Sequence, residues 1–369
     1  MAVAAGTIEE AAAAIREHAA AGRAIRPRGG GTKLGWGGRD ESAAEFDTRG
    51  LSRILEHNEG DFTAVLEAGV PLAEAQATFA RAGQMFALDP SLGDGHEATI
   101  GGVIAANDSG PLRHRHGGVR DLVVGITVVL SDGTIAKSGG KVIKNVAGYD
   151  LAKLFAGSFG TLGLIARVAV RLHPAPAATA TVVGTSEDPD RVAAAANALA
   201  RLPIEADCLD VAWAEGSGRL LVRFGGATAE QRARAVAERV EALRDVDVVP
   251  DDDELWAGQR AAQRGALVVK VSGRPTDLPA VFRAAEAAGG TVTARAALGL
   301  AWIALPADAD VAAIRQALSP RACTVLDGGD RVEDAWPVVD PGRLAVMERI
   351  KSRFDPARAF RPGAFVGGL

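Results

Sequence analysis

Two glycine-rich stretches constrain this chain more than any other feature of its sequence. The first is the run Arg28-Gly29-Gly30-Gly31-Thr32, and the second places seven glycines within the 26 residues from Gly93 to Gly118. Glycine has no Cβ, so it adopts positive φ angles and lets backbone N–H groups reach a ligand that a side chain would block. Because glycine also costs conformational entropy on folding, two such stretches indicate two close approaches of bare backbone to a large ligand. A phosphate-bearing cofactor suits such backbone best.

Three phosphate-binding patterns can be compared with these stretches. A P-loop requires G-x-x-x-x-G-K-[ST], which the chain does not contain. A Rossmann fingerprint can be fitted to residues 93–98, but Pro90 disrupts the preceding strand and Gly101-Gly102 interrupt the helix that should follow. No acidic strand end follows at the distance which that fold requires. The third pattern is a short strand that leads into an Arg-Gly-Gly-Gly-Thr turn, whose N–H groups hold a pyrophosphate, and the chain matches it.

Composition and charge exclude several classes of protein. The 369 residues are 48% hydrophobic and 24% charged, as in ordinary globular domains, and the net charge of −5 argues against nucleic-acid binding. The most apolar stretch, residues 151–172, is interrupted by charges, and the first ten residues lack the basic region of a secretory signal. The two cysteines, Cys208 and Cys323, are far apart and form no C-x-x-C motif. We therefore expect a cytoplasmic protein without a metal site, with peripheral attachment to a membrane through partner subunits as an alternative.

The order of predicted elements is helix, strand, glycine turn, helix, second glycine-rich stretch and hairpin. Thr7-Ile8-Glu9-Glu10 has the pattern of a capping box and predicts a helix that ends at Gly22. The other elements that we predict in the first half are a strand at 24–28, a helix from 71 to 81, a β-hairpin at 123–130 and 134–137, a helix at 149–155 and a strand at 162–172.

Composition changes at His173-Pro174-Ala175-Pro176, which predicts a domain boundary. Beyond it, strands alternate with amphipathic helices to about residue 335, a rhythm typical of an α+β domain with ferredoxin-like β-α-β units. The predicted organisation is therefore α+β: a two-subdomain cofactor-binding domain at 1–175, a smaller α+β cap at 176–335, and a C-terminal segment, 336–369, that returns to the first domain. The long tryptophan-bearing segments of the cap are predicted to be core.

Several motifs, taken together and in order, resemble those of FAD-linked oxidases of the vanillyl-alcohol oxidase (PCMH-type) superfamily. The run from Lys141 to Asp150 is similar to one branch, the smaller FAD-binding (E) subunit of bacterial glycolate oxidase. The resemblance is strong over residues 1–175 and 345–369 and weak between them. The motifs that carry it are Arg26-Pro27-Arg28-Gly29-Gly30-Gly31-Thr32, Asp89-Pro90, Ala98-Thr99-Ile100-Gly101-Gly102, Asp132-Gly133, Leu154-Phe155-Ala156-Gly157-Ser158 and Gly160-Thr161-Leu162-Gly163.

The resemblance implies a PCMH-type fold and FAD as the cofactor, and it assigns roles to residues. Those that would surround the pyrophosphate, with Arg28 or Lys33 offsetting its charge, are Arg28, Gly29, Gly30, Gly31, Thr32 and Lys33. Those that would line the ribityl chain and the dimethylbenzene side are Pro90, Ala98, Thr99, Ile100, Gly101 and Gly102. Those that would follow along the flavin are Asn107, Ser109 and Gly110, and those that would close over the adenine and the ring from the far side are Gly160, Thr161, Gly163 and Ile165.

One further implication concerns how FAD is held. Members of the superfamily that bind FAD covalently carry a histidine just after the glycine turn, whereas this chain has Thr32-Lys33. The resemblance therefore implies dissociable, non-covalent FAD.

Oxidation of a 2-hydroxy acid requires a cation for the carboxylate and a base for the hydroxyl proton beside the flavin. A basic segment between the second glycine stretch and the hairpin offers candidates, and a solvated basic loop is the equally weighted alternative. The candidate catalytic residues are Arg113, His114, His116, Arg120 and Tyr149, with Lys144 and Lys153 as further cations near the last of these.

Departures from the family's pattern argue against turnover by this chain alone. Catalytic relatives use a histidine-rich site from the second domain, but none of the six histidines follows His173. Arg361-Pro362-Gly363 stands where the family usually has Asn-Pro-Gly, and Phe159 stands where catalytic relatives carry glutamate. With two lone cysteines the chain also lacks ligands for an iron–sulfur cluster that could accept electrons.

Three hypotheses follow. The first is an FAD-binding subunit of a glycolate or other 2-hydroxyacid oxidase or dehydrogenase complex, with a second flavoprotein subunit and an iron–sulfur subunit as partners. The second is a stand-alone FAD-dependent 2-hydroxyacid dehydrogenase. The third is an assembly subunit that has lost the flavin and catalyses nothing. The absorption spectrum of the isolated chain, before and after anaerobic glycolate, distinguishes them.

Overall fold

The chain folds into two compact units. The structure, a computed structural model, describes residues 3–38, 40, 43–93, 95–141, 149–329 and 332–369. The first unit comprises Met1–Ser109, Gly117–Ala175 and Val338–Leu369, and the second comprises Gly110–His116 and Pro176–Pro337. The predicted α+β class is confirmed, because both units combine helices with sheets.

The first unit is built on two sheets. The strands β1 (Val3–Ala4), β2 (Ile25–Arg28) and β3 (Ala44–Asp47) form a parallel sheet in the order β1-β3-β2. An antiparallel sheet consists of β4 (Ile54–Asn58), β5 (Thr63–Glu67), β7 (Val123–Val129), β8 (Ile135–Gly139) and β9 (Leu164–Arg171), which pair in the order β4-β5-β9-β7-β8. A short antiparallel pair joins β6 (Gln84–Met85) to β10 (His173–Pro174).

The helices predicted after Thr7, at 71–81 and at 149–155 are present, whereas those at Ile100–Ala106, Val119–Leu122 and Pro341–Phe354 were not predicted. Gly101 and Gly102 lie within the first of these three and do not interrupt it. Thr7 accepts a hydrogen bond from the backbone N–H of Glu10 at 3.1 Å, and the Glu10 carboxylate accepts one from the backbone N–H of Thr7 at 3.2 Å, so the predicted capping box is present. The helices are α1 (Ile8–Ala20), α2 (Leu72–Ala80), α3 (Ile100–Ala106), α5 (Val119–Leu122), α6 (Leu151–Phe155) and α12 (Pro341–Phe354).

The predicted hairpin is also present. The strands β7 and β8 pair in register from Gly125–Gly139 to Val129–Ile135. The turn between them contains Gly133 at φ +79, a left-handed angle that favours glycine. The strand β9, rich in β-branched residues, lies between β5 and β7, and most of its side chains are buried.

The second unit is one antiparallel sheet with helices. Its strands are β11 (Thr179–Ser186), β12 (Cys208–Ala214), β13 (Ser217–Gly225), β14 (Arg244–Pro250), β15 (Leu267–Ser272), β16 (Thr291–Arg295), β17 (Leu300–Leu305) and β18 (Ala322–Val325), in the order β14-β11-β13-β12-β16-β17-β15-β18. Its helices are α4 (Arg113–His116), α7 (Pro189–Ala200), α8 (Ala229–Ala237), α9 (Asp253–Ala261), α10 (Leu278–Ala287) and α11 (Val311–Leu318).

The core of the second unit is apolar and aromatic. Trp213 of β12 stacks on Phe282 of α10 with ring centroids 5.3 Å apart and an interplanar angle of 11°. Trp256 of α9 packs with Cys208 and Leu221. Trp213, Trp256 and Trp302 are all buried, as predicted for core residues.

Residues 110–116 belong to a different unit from the one predicted by the sequence boundary at 175. Residues 110–116 fall within the predicted domain 1–175, but the structure includes them in the second unit. Leu112 packs against the cluster of Cys208, Leu221 and Trp256. Arg115 lies 3.3 Å from the Asp207 carboxylate and donates a hydrogen bond to the Glu205 carbonyl at 2.6 Å. These long-range contacts have no local sequence signal.

Within the described residues, none of the helices has the length and hydrophobicity needed to cross a bilayer. The run from Val142 to Gly148, part of the motif shared with the E-subunit branch, lies outside the described residues.

Candidate active site

A cavity in the first unit brings the two glycine stretches together. Its walls come from four segments: the turn from Pro27 to Leu34, the start of α3, residues 159–165, and Arg361 near the C-terminus. All of these segments belong to the first unit. Backbone more than 60 residues apart thus meets around one space, as the spacing of the glycines predicted.

The first glycine turn is fitted tightly against the segment that precedes α3. A Cβ built on Gly29 would lie 2.0 Å from Oγ1 of Thr99, and one built on Gly30 would lie 1.8 Å from the carbonyl oxygen of Glu97. Gly31 has φ +77, which a side chain would strain. Glycine is therefore required at 29 and 30 for contact between the two turns, in addition to any approach of a ligand.

The start of α3 forms the second wall. Oγ1 of Thr99 accepts a hydrogen bond from the Gly102 N–H at 3.4 Å and caps the helix. A Cβ on Gly101 would meet Cβ of Ala68 at 2.7 Å, whereas one on Gly102 would meet only Oγ1 of Thr99, at 3.3 Å. Gly101 thus allows close packing on Ala68, and the exposed Gly102 presents bare backbone at the cavity.

The third wall is a turn whose backbone adopts unusual angles. Phe159 has φ +54, Gly160 has φ +73 and Gly163 has φ +155. A Cβ on Gly163 would lie 2.8 Å from the Val129 carbonyl oxygen. The nearest atom to a Cβ on Gly160 is Cδ of Arg361, at 3.7 Å, so Arg361 borders this turn.

Among the residues that the structure describes, three cations line the cavity, and each is paired with a carboxylate that does not line it. Arg28 lies 2.7 Å from Glu45, Lys33 lies 3.3 Å from Asp108, and Arg361 lies 2.7 Å from Asp40. Hydrogen bonding from Arg28 lowers the pKa of Glu45, although partial burial opposes that effect. The carboxylates fix the positions of the cations, so the cavity presents preorganised positive charge to an anion.

A buried lysine joins the C-terminal segment to the third wall. Nζ of Lys351 donates hydrogen bonds to the carbonyl oxygens of Thr161 at 2.6 Å and Phe360 at 2.8 Å, and to Asp355 at 2.7 Å. Burial lowers the pKa of Lys351, while the hydrogen bond to Asp355 raises it. Asp355 also accepts hydrogen bonds from the backbone N–H groups of Ala359 and Phe360, both at 2.9 Å. Lys351 thus holds the segment that carries Arg361 against the wall that contains Gly160.

Replacing Lys351 with methionine is expected to lower the free energy of unfolding of the first unit by about 2–3 kcal/mol, because two buried carbonyl oxygens lose their donor. Chemical denaturation followed by far-UV circular dichroism measures the loss. Arg353, an exposed residue two positions along the same helix, provides the control. Arg353→Met should change the free energy by less than about 0.5 kcal/mol. Equal effects of the two substitutions would contradict this role for Lys351.

Several residues assigned by sequence to the cofactor do line the cavity. They are Arg28, Gly29, Gly30, Gly31, Thr32, Lys33, Thr99, Gly101, Gly102, Gly160, Gly163 and Ile165. The cavity lining also contains residues that the sequence interpretation did not assign to it, namely Pro27, Leu34, Thr48, Ala68, Val103, Ala105, Ala106, Phe159, Leu164 and Arg361. Most of these are small or apolar and carry no motif; Phe159 and Arg361 attracted notice only as departures from the family's pattern.

Other assigned residues lie outside the lining of this cavity. The backbone carbonyl of Ala98 accepts a hydrogen bond from Leu72 at 2.8 Å, and the N–H of Ile100 donates to the Val70 carbonyl at 2.9 Å, so both support packing. Asn107 ends α3 in the left-handed conformation at φ +50, a helix-capping role. The remaining assigned residues are all buried, namely Pro90, Ser109, Gly110 and Thr161. Of these, Gly110 belongs to the second unit.

The structure does not gather the candidate catalytic residues at one place. Arg113, His114 and His116 form α4 in the second unit. Burial lowers the pKa of His114, and the neighbouring Arg115 lowers it further. Arg120 is exposed, and Tyr149 is 93% exposed; both belong to the first unit and neither lines its cavity. Exposure argues against the desolvated environment that a catalytic group needs. Lys144 lies outside the described residues.

The cavity fits FAD in its chemistry. Bare backbone at Gly102 and Gly160 permits close approach of a flat ring or a sugar chain. The cations Arg28, Lys33 and Arg361 suit a pyrophosphate. The residues at the cavity therefore offer both features that a flavin dinucleotide requires.

Comparison with known proteins agrees with this geometry. Residues 1–139 match the family described as FAD binding domain. Alkyldihydroxyacetonephosphate synthase, solved in two crystal forms, shares the fold: TM-scores are 0.68 and 0.70, at 14% and 15% identity, over 98% of this chain and 75% and 76% of that one. Residues 1–139 therefore resemble an FAD binding domain, and this match supports FAD as the cofactor.

Curated relatives refine the class. Glycolate oxidase subunit GlcD of Bacillus subtilis is 38% identical over 171 residues, which are 46% of this chain and 36% of the relative. Glycolate oxidase subunit GlcE of Escherichia coli is 36% identical over 142 residues, 38% of this chain and 40% of the relative. The mitochondrial D-lactate dehydrogenase (cytochrome) 1 of Saccharomyces cerevisiae is 35% identical over 148 residues, 40% of this chain and 24% of the relative. The matched stretch covers less than half of each relative. The resemblance to FAD-linked oxidases, and among them to glycolate oxidase subunits, is confirmed.

Proposed function

We propose that the chain is an FAD-dependent oxidoreductase that acts on the CH–OH group of a 2-hydroxy acid such as glycolate, and that it works as an FAD-binding subunit of a larger complex. The observation that carries the proposal is the single cavity in which both glycine turns meet beside three carboxylate-backed cations. Similarity to glycolate oxidase subunits and to D-lactate dehydrogenases supports the substrate class.

Bound FAD would supply the hydride acceptor needed to oxidise the alcohol carbon of a 2-hydroxy acid to a 2-oxo acid, and a base would be needed for the hydroxyl proton. The residues of this chain contribute the site that holds and orients the cofactor. Thr32, Lys33 and the glycine turn at 29–31 provide donors and bare backbone at one wall, and Gly102 and Gly160 leave space at the others. The absence of histidine at 32–33 supports dissociable FAD.

In the part of the chain that the structure describes, the cavity lining lacks a side chain suited to act as the general base, which supports a role within a complex. Among the described residues that line it, none is a histidine, aspartate, glutamate or tyrosine that could accept the hydroxyl proton. The base must therefore come from elsewhere in the chain or from a second flavoprotein subunit. The sequence contains two cysteines, Cys208 and Cys323, and no C-x-x-C motif, so an iron–sulfur subunit is the proposed electron acceptor.

A stand-alone 2-hydroxyacid dehydrogenase is the second candidate, and one observation favours it. Burial lowers the pKa of His114, which favours the neutral imidazole, the form able to accept a proton. Nδ1 of this ring is buried without a hydrogen-bond partner within the described part of the chain. Arg115 and Asp207 form an ion pair in the same unit.

Anaerobic spectroscopy tests the proposal. The purified chain should be yellow, should release its flavin when denatured, and should keep its flavin absorbance when mixed with glycolate or D-lactate. Co-expression with the second flavoprotein and iron–sulfur subunits should allow glycolate to bleach the absorbance. Rapid bleaching of the chain alone would favour the stand-alone dehydrogenase. A colourless chain that takes up no added FAD would contradict both and favour an assembly subunit.

A further inference from the structure

Arg361 is a buried cation in the wall of the FAD cavity, and its conformation is unusual. It is 5% exposed and has φ +41, in the left-handed region that non-glycine residues rarely adopt. Such strain costs free energy and persists where the surrounding structure enforces it, which occurs often at ligand sites. The N–H of Arg361 donates to the carbonyl of Ile25, the first residue of β2, at 3.0 Å, and this bond fixes the backbone of Arg361.

The guanidinium is fixed on one side and leaves donors on the other. Nε donates to Asp40 at 2.7 Å, Nη1 to the Phe159 carbonyl at 2.8 Å and Nη2 to the Leu34 carbonyl at 3.5 Å. A guanidinium has five N–H groups, so each terminal nitrogen retains one beyond these three bonds. Arg361 lines the cavity, which places its side chain beside any molecule bound there.

The charges around Arg361 do not cancel. Asp40 is shared, since it also accepts a hydrogen bond from Arg26 at 2.9 Å. Arg26 and Arg28 in turn share Glu45, at 3.3 and 2.7 Å. Among the described residues, this connected group has three arginines and two carboxylates, which leaves one net positive charge. Partly buried positive charge of this kind favours an anion in the adjoining space.

We propose that Arg361 binds an anionic group of FAD, with Asp40 as the residue that positions its guanidinium. This inference rests on the proposed cofactor site and adds to it a residue from the C-terminal segment. Two groups of FAD supply the same chemistry: the pyrophosphate, which is always anionic, and the isoalloxazine ring, which is anionic when reduced. A guanidinium binds either through charge-assisted hydrogen bonds.

The test compares Arg361→Gln and Arg361→Lys with Arg353→Gln, which removes an exposed arginine of α12. Dissociation constants of FAD and of riboflavin, which lacks the pyrophosphate, are measured by flavin fluorescence together with the reduction potential of the bound flavin. If Arg361 binds the pyrophosphate, Arg361→Gln should weaken FAD binding about 10- to 100-fold and leave riboflavin affinity unchanged. If it binds the reduced ring, the potential should fall while the affinity for oxidised FAD changes little. In either case Arg361→Lys should retain more of the wild-type property than Arg361→Gln does. Lysine keeps the positive charge but lacks the paired N–H donors of the guanidinium.

The result that would overturn the inference is an Arg361→Gln protein with FAD affinity, salt dependence of FAD binding and flavin potential all equal to those of Arg353→Gln. Asp40→Asn serves as a second variant, because it releases the guanidinium and should weaken FAD binding less than Arg361→Gln does. These readouts require no turnover. Failure of glycolate to bleach the flavin of the co-expressed complex would therefore contradict the proposed reaction and leave the role of Arg361 standing.

Discussion

Replacing Gly30 with alanine is expected to weaken FAD binding by on the order of 100-fold or more. The added Cβ would lie 1.8 Å from the carbonyl oxygen of Glu97, a backbone atom that cannot move away cheaply. The turn at 28–33 and the segment before α3 must therefore separate, and the cavity between them changes shape. Equilibrium titration of the flavin-free protein with FAD, followed by fluorescence quenching, measures the loss.

Gly35 provides the matched control for this substitution. It lies five residues further along the same segment, and a Cβ built there meets no atom within 4 Å. Gly35→Ala should therefore change FAD affinity less than about threefold, which corresponds to less than 1 kcal/mol. If Gly30→Ala bound FAD as tightly as Gly35→Ala, close contact between the two turns would not be required for the cofactor, contrary to our interpretation.

The second large effect is expected in the second unit, where Asp210 and Arg295 form a fully buried ion pair. Nη1 of Arg295 donates to Asp210 at 2.6 Å, and Nε2 of Gln259 donates to the same oxygen at 3.1 Å. Replacing Asp210 with asparagine removes the counter-charge and leaves the guanidinium buried without it. We expect a loss of about 3–5 kcal/mol in the free energy of unfolding.

Urea denaturation followed by tryptophan fluorescence suits this measurement, since Trp213, Trp256, Trp302 and Trp336 all lie in the second unit. Glu230→Gln, which removes an exposed pair with Arg234, should cost less than about 0.5 kcal/mol. The double substitution Asp210→Leu with Arg295→Met removes both charges and should recover most of the loss. If Asp210→Asn lowered the free energy of unfolding by less than about 1 kcal/mol, Asp210 would not be the counter-charge that stabilises buried Arg295.

The sequence alone predicted the framework of the cofactor site. The glycine run after β2, the second glycine stretch and the turn at 160–163 are local patterns, and their order along the chain matches their meeting at one cavity. The capping box at Thr7 and the turn at Gly133 are also local, because each depends on residues a few positions apart. Features of this kind depend on residues that are close together in the sequence, so they can be predicted from it.

The remaining parts of the site depend on contacts between distant segments. Asp40 and Asp108 belong to no recognisable sequence motif, and the residues beside them do not indicate which cations they pair with. Arg361 seemed only a departure from a familiar motif, although it lines the cavity. Residues 110–116 follow the second glycine stretch directly, but packing of Leu112 and pairing of Arg115 hold them in the other unit. Tertiary packing decides such cases, so no local pattern could predict them.

Hydrogen–deuterium exchange of the chain with and without FAD tests the central claim most directly. If both glycine turns hold one flavin nucleotide, a single equivalent of FAD should slow exchange together in the turn at 28–34, at the start of α3 and in residues 159–165. Protection of one turn alone, or protection confined to other segments, would contradict the site described for this protein.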